Sequence, residues 1–128
     1  MIVIDASAIV AILNREAGHE ALLPRFLAHR QRCLTPISAL EIVMVLSRKY
    51  ADPAHEVEVY LRQEHIAVHP IDRAQSDQAQ QAFLLYGKGR HRARLNLSDC
   101  FSYAAAKTLN APLLYIGDDF AMTDIQAA

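Results

Sequence analysis

The chain opens on Met1-Ile2-Val3-Ile4, an apolar run that stops abruptly at Asp5. A run without polar alternation predicts a short strand buried on both faces rather than a half-exposed one. Apolar positions then recur at helical spacing over Ala6 to Leu13 and again over Gly18 to His29. Arg32 to Leu34 reads as a strand, and Thr35-Pro36 behind it is a helix-opening signal with proline in the first turn. From Ile37 to about Tyr50 runs the most apolar helix of the chain, with Ile37, Leu40, Ile42, Val43, Met44, Val45 and Leu46 on almost every side. Such a pattern predicts a helix of the core.

Asp52-Pro53 starts a further helix to about Glu64, and Ile66 to Val68 is a short strand stopped by Pro70. Asp72 caps a glutamine-rich helix through Ala82, Phe83 and Tyr86. Gly87 to Arg94 is a basic loop, Ser98 opens a helix to about Leu109, and Ala111-Pro112 leads into the strand Leu113 to Ile116. Short apolar strands alternating with helices predict an α/β fold of three layers around a mostly parallel sheet. No repeat, low-complexity tract or Gly/Ser linker interrupts the 128 residues, so residues 1–128 are expected to form one domain.

Composition narrows the class of function more than it identifies one. With 52% hydrophobic and 21% charged residues the chain has the make-up of a globular core, which excludes disorder and coiled coil. A net charge of −1 removes any overall basic bias, so contact with nucleic acid would need a local patch. Cys33 and Cys100 form no CxxC pair and no signal peptide precedes the first strand, which points to a reducing, cytoplasmic setting. The apolar stretch Ala8 to Leu13 is far short of the roughly 20 residues a membrane span requires.

The informative residues are carboxylates standing where apolar side chains would cost less. Asp5 follows the first strand, at the carboxyl edge where open α/β sheets place their ligands; it reads equally as an N-cap, and the two roles are compatible. Glu41 projects between Ile37, Met44 and Val45, with no cation three or four residues on and Arg48 two turns away. A carboxylate in such a stripe faces a cation or a polar cleft, unless the stripe lies exposed at the helix edge. Asp99, near the start of its helix, also suits the helix dipole. Asp118-Asp119 follow the last strand and a glycine, and an acidic turn there is a weak signal by itself.

Two carboxylates about 5 Å apart repel by about 3 kcal/mol at an effective dielectric of about 20. Gathering several at one sheet edge therefore calls for protonation or a divalent cation. With no His or Cys in the set, the oxygen donors favour Mg²⁺, or Mn²⁺, over Zn²⁺. There is no HExxH, and His65 and His69 flank a strand and a proline. Lys88, Arg90, Arg92 and Arg94 lie just ahead of Asp99, where they form either a solvated loop or a handle for phosphates.

The segments Met1-Ile-Val-Ile-Asp5-Ala-Ser7-Ala8, Ser38-Ala-Leu-Glu41, Leu97-Ser-Asp99-Cys-Phe-Ser-Tyr-Ala104 and Leu113-Leu-Tyr-Ile-Gly-Asp118-Asp119-Phe120, in this order, resemble the PIN-domain ribonucleases. More narrowly they resemble the VapC toxins of bacterial type II toxin–antitoxin pairs, over essentially the whole chain. The resemblance implies a PIN-like α/β/α domain with a central parallel sheet of four or five strands and Mg²⁺-dependent endonucleolytic cleavage of structured RNA, tRNA or rRNA. It matches Asp5, Glu41 and Asp99 to the family's three acidic residues, with Asp5 and Asp99 the leading metal ligands and Glu41 a third. Ser7 matches a small hydroxyl residue beside the first Asp, and the fourth acidic position falls on Asp118, narrowly ahead of Asp119. A VapB-like antitoxin, an RNA substrate and a homodimer are the implied partners.

Two other readings fit parts of the pattern. A PIN-type module that holds RNA or protein without cutting needs no carboxylate inside an apolar helix. A receiver- or phosphatase-like phosphotransfer domain needs acidic residues that are missing here: Ser7 stands two residues after Asp5, and no Asp follows the strands at Arg32 to Leu34 or Ile66 to Val68 in the required way.

Overall fold

A computed structural model describes residues 1–128. Strands β1 (Ile2–Ile4), β2 (Arg32–Leu34), β3 (Ile66–Val68) and β4 (Leu113–Leu114) form one parallel sheet in the order β3-β2-β1-β4. Val3 pairs with Cys33 on one side and Leu113 on the other, so β1 is central. Its apolar run follows from that position: Ile2 and Ile4 enter the core on one face of the sheet and Val3 the core on the other.

Helices α1 (Ala6–Asn14), α2 (His19–Leu27), α3 (Pro36–Leu46) and α4 (Pro53–Gln63) cover the first face, packing Ile9, Phe26, Ile42 and Leu61 against Ile2, Ile4 and Leu34. Helices α5 (Arg73–Tyr86) and α6 (Leu97–Thr108) cover the second, where Ala79, Ala82, Tyr103 and Ala104 meet Val3 and Leu113. Thus the three-layer α/β/α expectation holds, with four strands. The fifth position carries only a single bridge, Ala127 to Leu113. No helix is long and apolar enough to cross a membrane.

The chain lays β2 and β3 on one side of β1, then returns past it to lay β4 on the other. The carboxyl ends of β1 and β4 therefore flank the sheet's topological switch point, the usual ligand position of such sheets. Asp5 follows β1 and Gly117-Asp118-Asp119 follow β4.

Four expectations change. Helix α3 stops at Leu46 rather than near Tyr50, where Ser47 Oγ donates to the Met44 carbonyl at 2.6 Å and the Lys49 and Tyr50 amides fold back on the Leu46 carbonyl. Nor is α3 enclosed by the core. It buries Ser38, Ile42 and Leu46 but leaves Leu40, Met44 and Val45 58, 62 and 37% exposed, because a helix lying on a layer covers only one stripe. Strand β4 ends at Leu114, as Ile116 turns its amide toward Ser7 Oγ. Finally, α6 is capped by Asn96 rather than opened by Ser98.

Candidate active site

Asp5 is 3% exposed and ends β1 as the N-cap of α1. Its Oδ2 accepts the Ser7 amide at 3.0 Å and its Oδ1 the Ser102 hydroxyl at 2.6 Å. The cap is thus real, and it leaves a buried carboxylate at the carboxyl end of β1. Ser7 turns its own hydroxyl to the residues after β4, where Oγ accepts the Ile116 amide at 3.3 Å. That bond ties the start of α1 to the turn carrying Asp118 and Asp119.

Asp99 occupies the third position of α6 in a reciprocal capping box. Asn96 Oδ1 accepts the Asp99 amide and Asp99 Oδ2 accepts the Asn96 amide, each at 2.9 Å. An acidic residue at this position is what selects Asn96 over Ser98 as the cap. Burial pushes the Asp99 carboxyl up to about 7, aided by the negative charges of Asp5, Asp119 and Glu41 and opposed by the Asn96 amide. The four carboxylates therefore share one electrostatic environment.

Glu41 reaches this environment from α3, half-buried, with Oε2 accepting the Ser98 hydroxyl at 2.7 Å. It also lines a cleft of about 360 Å³ with Met44, Val45 and Arg48, and Arg48 forms no ion pair across it. Beneath lies a layer of buried hydroxyls: Ser38 Oγ is 3.2 Å from Ser102 Oγ, and Thr35 Oγ1 is 3.2 Å from Ser38 Oγ. From the sequence Thr35 reads only as a helix-opening residue, and Ser38 and Ser102 carry no role of their own. Their signal is a three- or four-residue offset from an acid on the same helix, Ser38 from Glu41 and Ser102 from Asp99, legible only once α3 and α6 are known to face one another.

Asp118 and Asp119 are both exposed after Gly117, whose φ of 102° suits glycine at that turn. Asp119 begins the short 3₁₀ turn Phe120–Met122 with no side-chain cap bond, and its charge acts on Asp99. Of the two, Asp119 is the one whose charge acts on the Asp99 carboxyl. Both cysteines are free and buried, and burial raises the Cys100 thiol to about 11, so neither has the exposed thiolate of a nucleophile.

The acidic donors fit a hard divalent cation in kind, being oxygen only and anionic, around an Asp99 carboxyl raised chiefly by burial and further by its acidic neighbours. With Asp99 Oδ2 engaged by the Asn96 amide and Glu41 Oε2 by Ser98, no three Asp, Glu, His or Cys side chains converge on one point. The basic loop divides. Arg90 folds back, donating Nε to the Leu84 carbonyl at 3.1 Å and lying 5.8 Å from the Phe83 ring, and Lys88 lines a 650 Å³ apolar groove between α5 and α6. Arg92 and Arg94 are exposed and unpaired.

A PIN domain family model matches residues 2–126. Among characterised proteins, Ribonuclease VapC of Mycolicibacterium smegmatis is 41% identical over 126 residues, covering 98% of both chains. Ribonuclease VapC30 of Mycobacterium tuberculosis is 40% identical over 124 residues, covering 96% of this chain and 95% of that protein. Among solved structures, M. tuberculosis VapC20, described as a sarcin-ricin loop cleaving toxin, superposes with a TM-score of 0.76 at 15% identity, covering 100% and 98% of the two chains. VapBC-1 of nontypeable Haemophilus influenzae superposes with a TM-score of 0.74 at 17% identity, covering 100% and 97%. Matched along nearly its whole length, with acidic residues gathered at the carboxyl edge of its sheet, the chain belongs to the PIN-domain family, among the VapC ribonucleases.

Proposed function

We propose that this ribonuclease is a divalent-metal-dependent endonuclease of the cytoplasm, serving as the toxin of a toxin–antitoxin pair and cutting structured RNA, tRNA or rRNA, to inhibit translation. The observation that carries the reading is the buried carboxylate of Asp5 at the sheet's switch point, close enough to Asp99 for its charge, with those of Asp119 and Glu41, to add to the effect of burial on the Asp99 carboxyl. A protein gathers that much uncompensated charge where a cation offsets it. Asp5 and Asp99 are the leading ligands for Mg²⁺ or Mn²⁺, with Glu41 a third, and Asp119 takes the fourth acidic role in place of Asp118. When bound, the ion supplies charge neutralisation at the scissile phosphate and acidifies a water molecule.

The chain's own groups do the rest. Glu41, aligned by Ser98, orients the attacking water and takes its proton. Ser7 keeps the β4 turn against α1, so that Asp119 faces Asp99. Arg92 and Arg94, with Lys88 at the groove edge, hold phosphates beside the cut, while Arg90 shapes the loop.

The H. influenzae and Neisseria gonorrhoeae neighbours are VapBC-1 and FitAcB, and another is a toxin–antitoxin complex from Klebsiella pneumoniae. By that analogy this chain pairs with a VapB-like antitoxin, and its uncovered apolar surface leads us to propose a homodimer as well. Two uncovered apolar faces supply the surface: Leu40, Met44 and Val45 on α3, and Phe83, Leu84 and Leu97 around the groove. Mapping new 5′ ends in cellular RNA after brief induction, wild type against Asp5→Ala, tests the reading. Discrete new ends in one structured RNA, absent with Asp5→Ala, are expected; none in either case contradicts it.

A further inference from the structure

The two oxygens of Asp5 are each met by one protein donor, the Ser7 amide on Oδ2 and the Ser102 hydroxyl on Oδ1. At 2.6 Å the second is a charge-assisted O–H···O⁻ bond. A carboxylate only accepts, and a serine hydroxyl has a single proton. Ser102 has therefore spent its proton on Asp5, and Ser38 must be the donor across the 3.2 Å between the two serine oxygens. Ser38 has then spent its proton too. Thr35 must donate to Ser38 at 3.2 Å, while Thr35 Oγ1 receives the Ser38 amide at 3.0 Å.

Thr35, Ser38 and Ser102 are all 0% exposed, so no solvent-facing alternative competes for these protons. Three hydrogen bonds run one way, from Thr35 to Ser38 to Ser102 to Asp5. Alanine at positions 38 and 102 would pack between α3 and α6 with no polar group to bury, whereas buried hydroxyls are costly unless every bond is made. The arrangement also joins the acidic residues through their helices. Ser38 meets Ser102 and Glu41 meets Ser98 in antiparallel register, so the same helix pair that presents Glu41 and Asp99 also aims Asp5.

We propose that Thr35, Ser38 and Ser102 form a buried hydroxyl relay that holds Asp5 in its cation-binding orientation, with Ser102 as the positioning residue and Ser38 and Thr35 acting through it. The proposal rests on the reading of Asp5 as a metal ligand. Chains of this polarity strengthen one another, and groups that orient a ligand typically contribute about 10- to 100-fold in metal affinity.

The test is titration of the metal-stripped, full-length protein with Mn²⁺, following the paramagnetic resonance of the free ion, with thermal melting of each variant alongside. Ser102→Ala is expected to weaken Mn²⁺ binding about tenfold or more, and Ser102→Thr, which keeps the hydroxyl, to recover most of the affinity. Ser38→Ala should weaken binding by itself yet add nothing in the Ser102→Ala background, because its effect passes through Ser102. A packing role alone would lower the melting temperature and leave Mn²⁺ affinity unchanged. If Ser102→Ala fails to fold, Ser38→Ala decides: weakened binding supports the relay and unchanged binding overturns it. Wild-type affinity in folded Ser102→Ala, or additive losses in the double variant, also overturns the relay while leaving Asp5 as a ligand. No Mn²⁺ binding by the wild type overturns the metal reading, and the relay with it.

Discussion

Ser98 donates its hydroxyl to Glu41 Oε2 at 2.7 Å, joining the first turn of α6 to the middle of α3. The bond answers the question Glu41 poses in the sequence, a carboxylate in an apolar stripe with no cation in reach along its own helix. Its partner comes from a different helix and is neutral. Glu41 is consequently aimed without having its charge cancelled, which suits the proton-accepting role proposed for it.

Ser98→Ala removes that aim and leaves the carboxylate in place. Loss of one hydrogen bond to a charged group corresponds to about a tenfold fall in single-turnover cleavage rate, with the melting temperature little changed because Glu41 is only half-buried. Ser98→Thr is expected to retain most of the rate. Rates for the three proteins on one RNA check this, and an unaffected Ser98→Ala would leave Glu41 without need of the contact.

Asp118 and Asp119 are expected to separate by function. Asp119→Asn removes a charge that acts on Asp99, and is expected to shift the metal dependence of cleavage to a different concentration. Asp118→Asn should leave it near the wild-type value. Mg²⁺ titrations of both variants settle the order.

The raised carboxyl of Asp99 has a stability consequence with a definite sign. Its folded pKa of about 7 lies above the ordinary 3.8, so the folded state binds more protons than the unfolded state between those values. Metal-free protein should therefore gain stability as pH falls from about 7 toward about 4, and lose it as pH rises through the same window. Asp99→Asn should flatten that slope and be more stable than wild type at about pH 8. Urea unfolding in chelator at several pH values measures the slope; a slope left unchanged by Asp99→Asn would show that Asp99 ionises freely.

Within the basic loop, Arg92→Ala with Arg94→Ala is expected to weaken RNA binding and reduce the slope of log affinity against log salt by about two. Arg90 donates to the Leu84 carbonyl, so Arg90→Ala should lower stability more than it changes the salt slope. Binding isotherms across a salt series, with Glu41→Gln in the background to prevent cutting, distinguish the two.

Much of this was legible from residues in order. The apolar run ending at Asp5 marks a central strand because β1 is buried on both faces, and Thr35-Pro36, Asp52-Pro53 and Asp72 mark helix starts because each caps locally. What escaped depends on tertiary placement. Apolar residues all round α3 read as core, yet the helix lies on its layer by a single stripe and leaves Leu40 and Met44 exposed. Asn96 and Ser98 are both competent caps, and the choice falls to Asp99 reaching back to the Asn96 amide. Asp118 and Asp119 are equivalent as letters until the 3₁₀ turn separates them. The hydroxyls of Thr35, Ser38, Ser98 and Ser102 gain meaning only across the α3–α6 contact, which no local pattern encodes.

The most direct measurement is single-turnover cleavage of RNA by chelator-stripped protein as Mg²⁺ is returned, run in parallel with Glu41→Gln. The acidic site as nuclease centre predicts no cleavage without metal, a saturable return with it, and an inactive Glu41→Gln protein whose melting curve matches wild type. Cleavage that persists in chelator, or in folded Glu41→Gln, would contradict it.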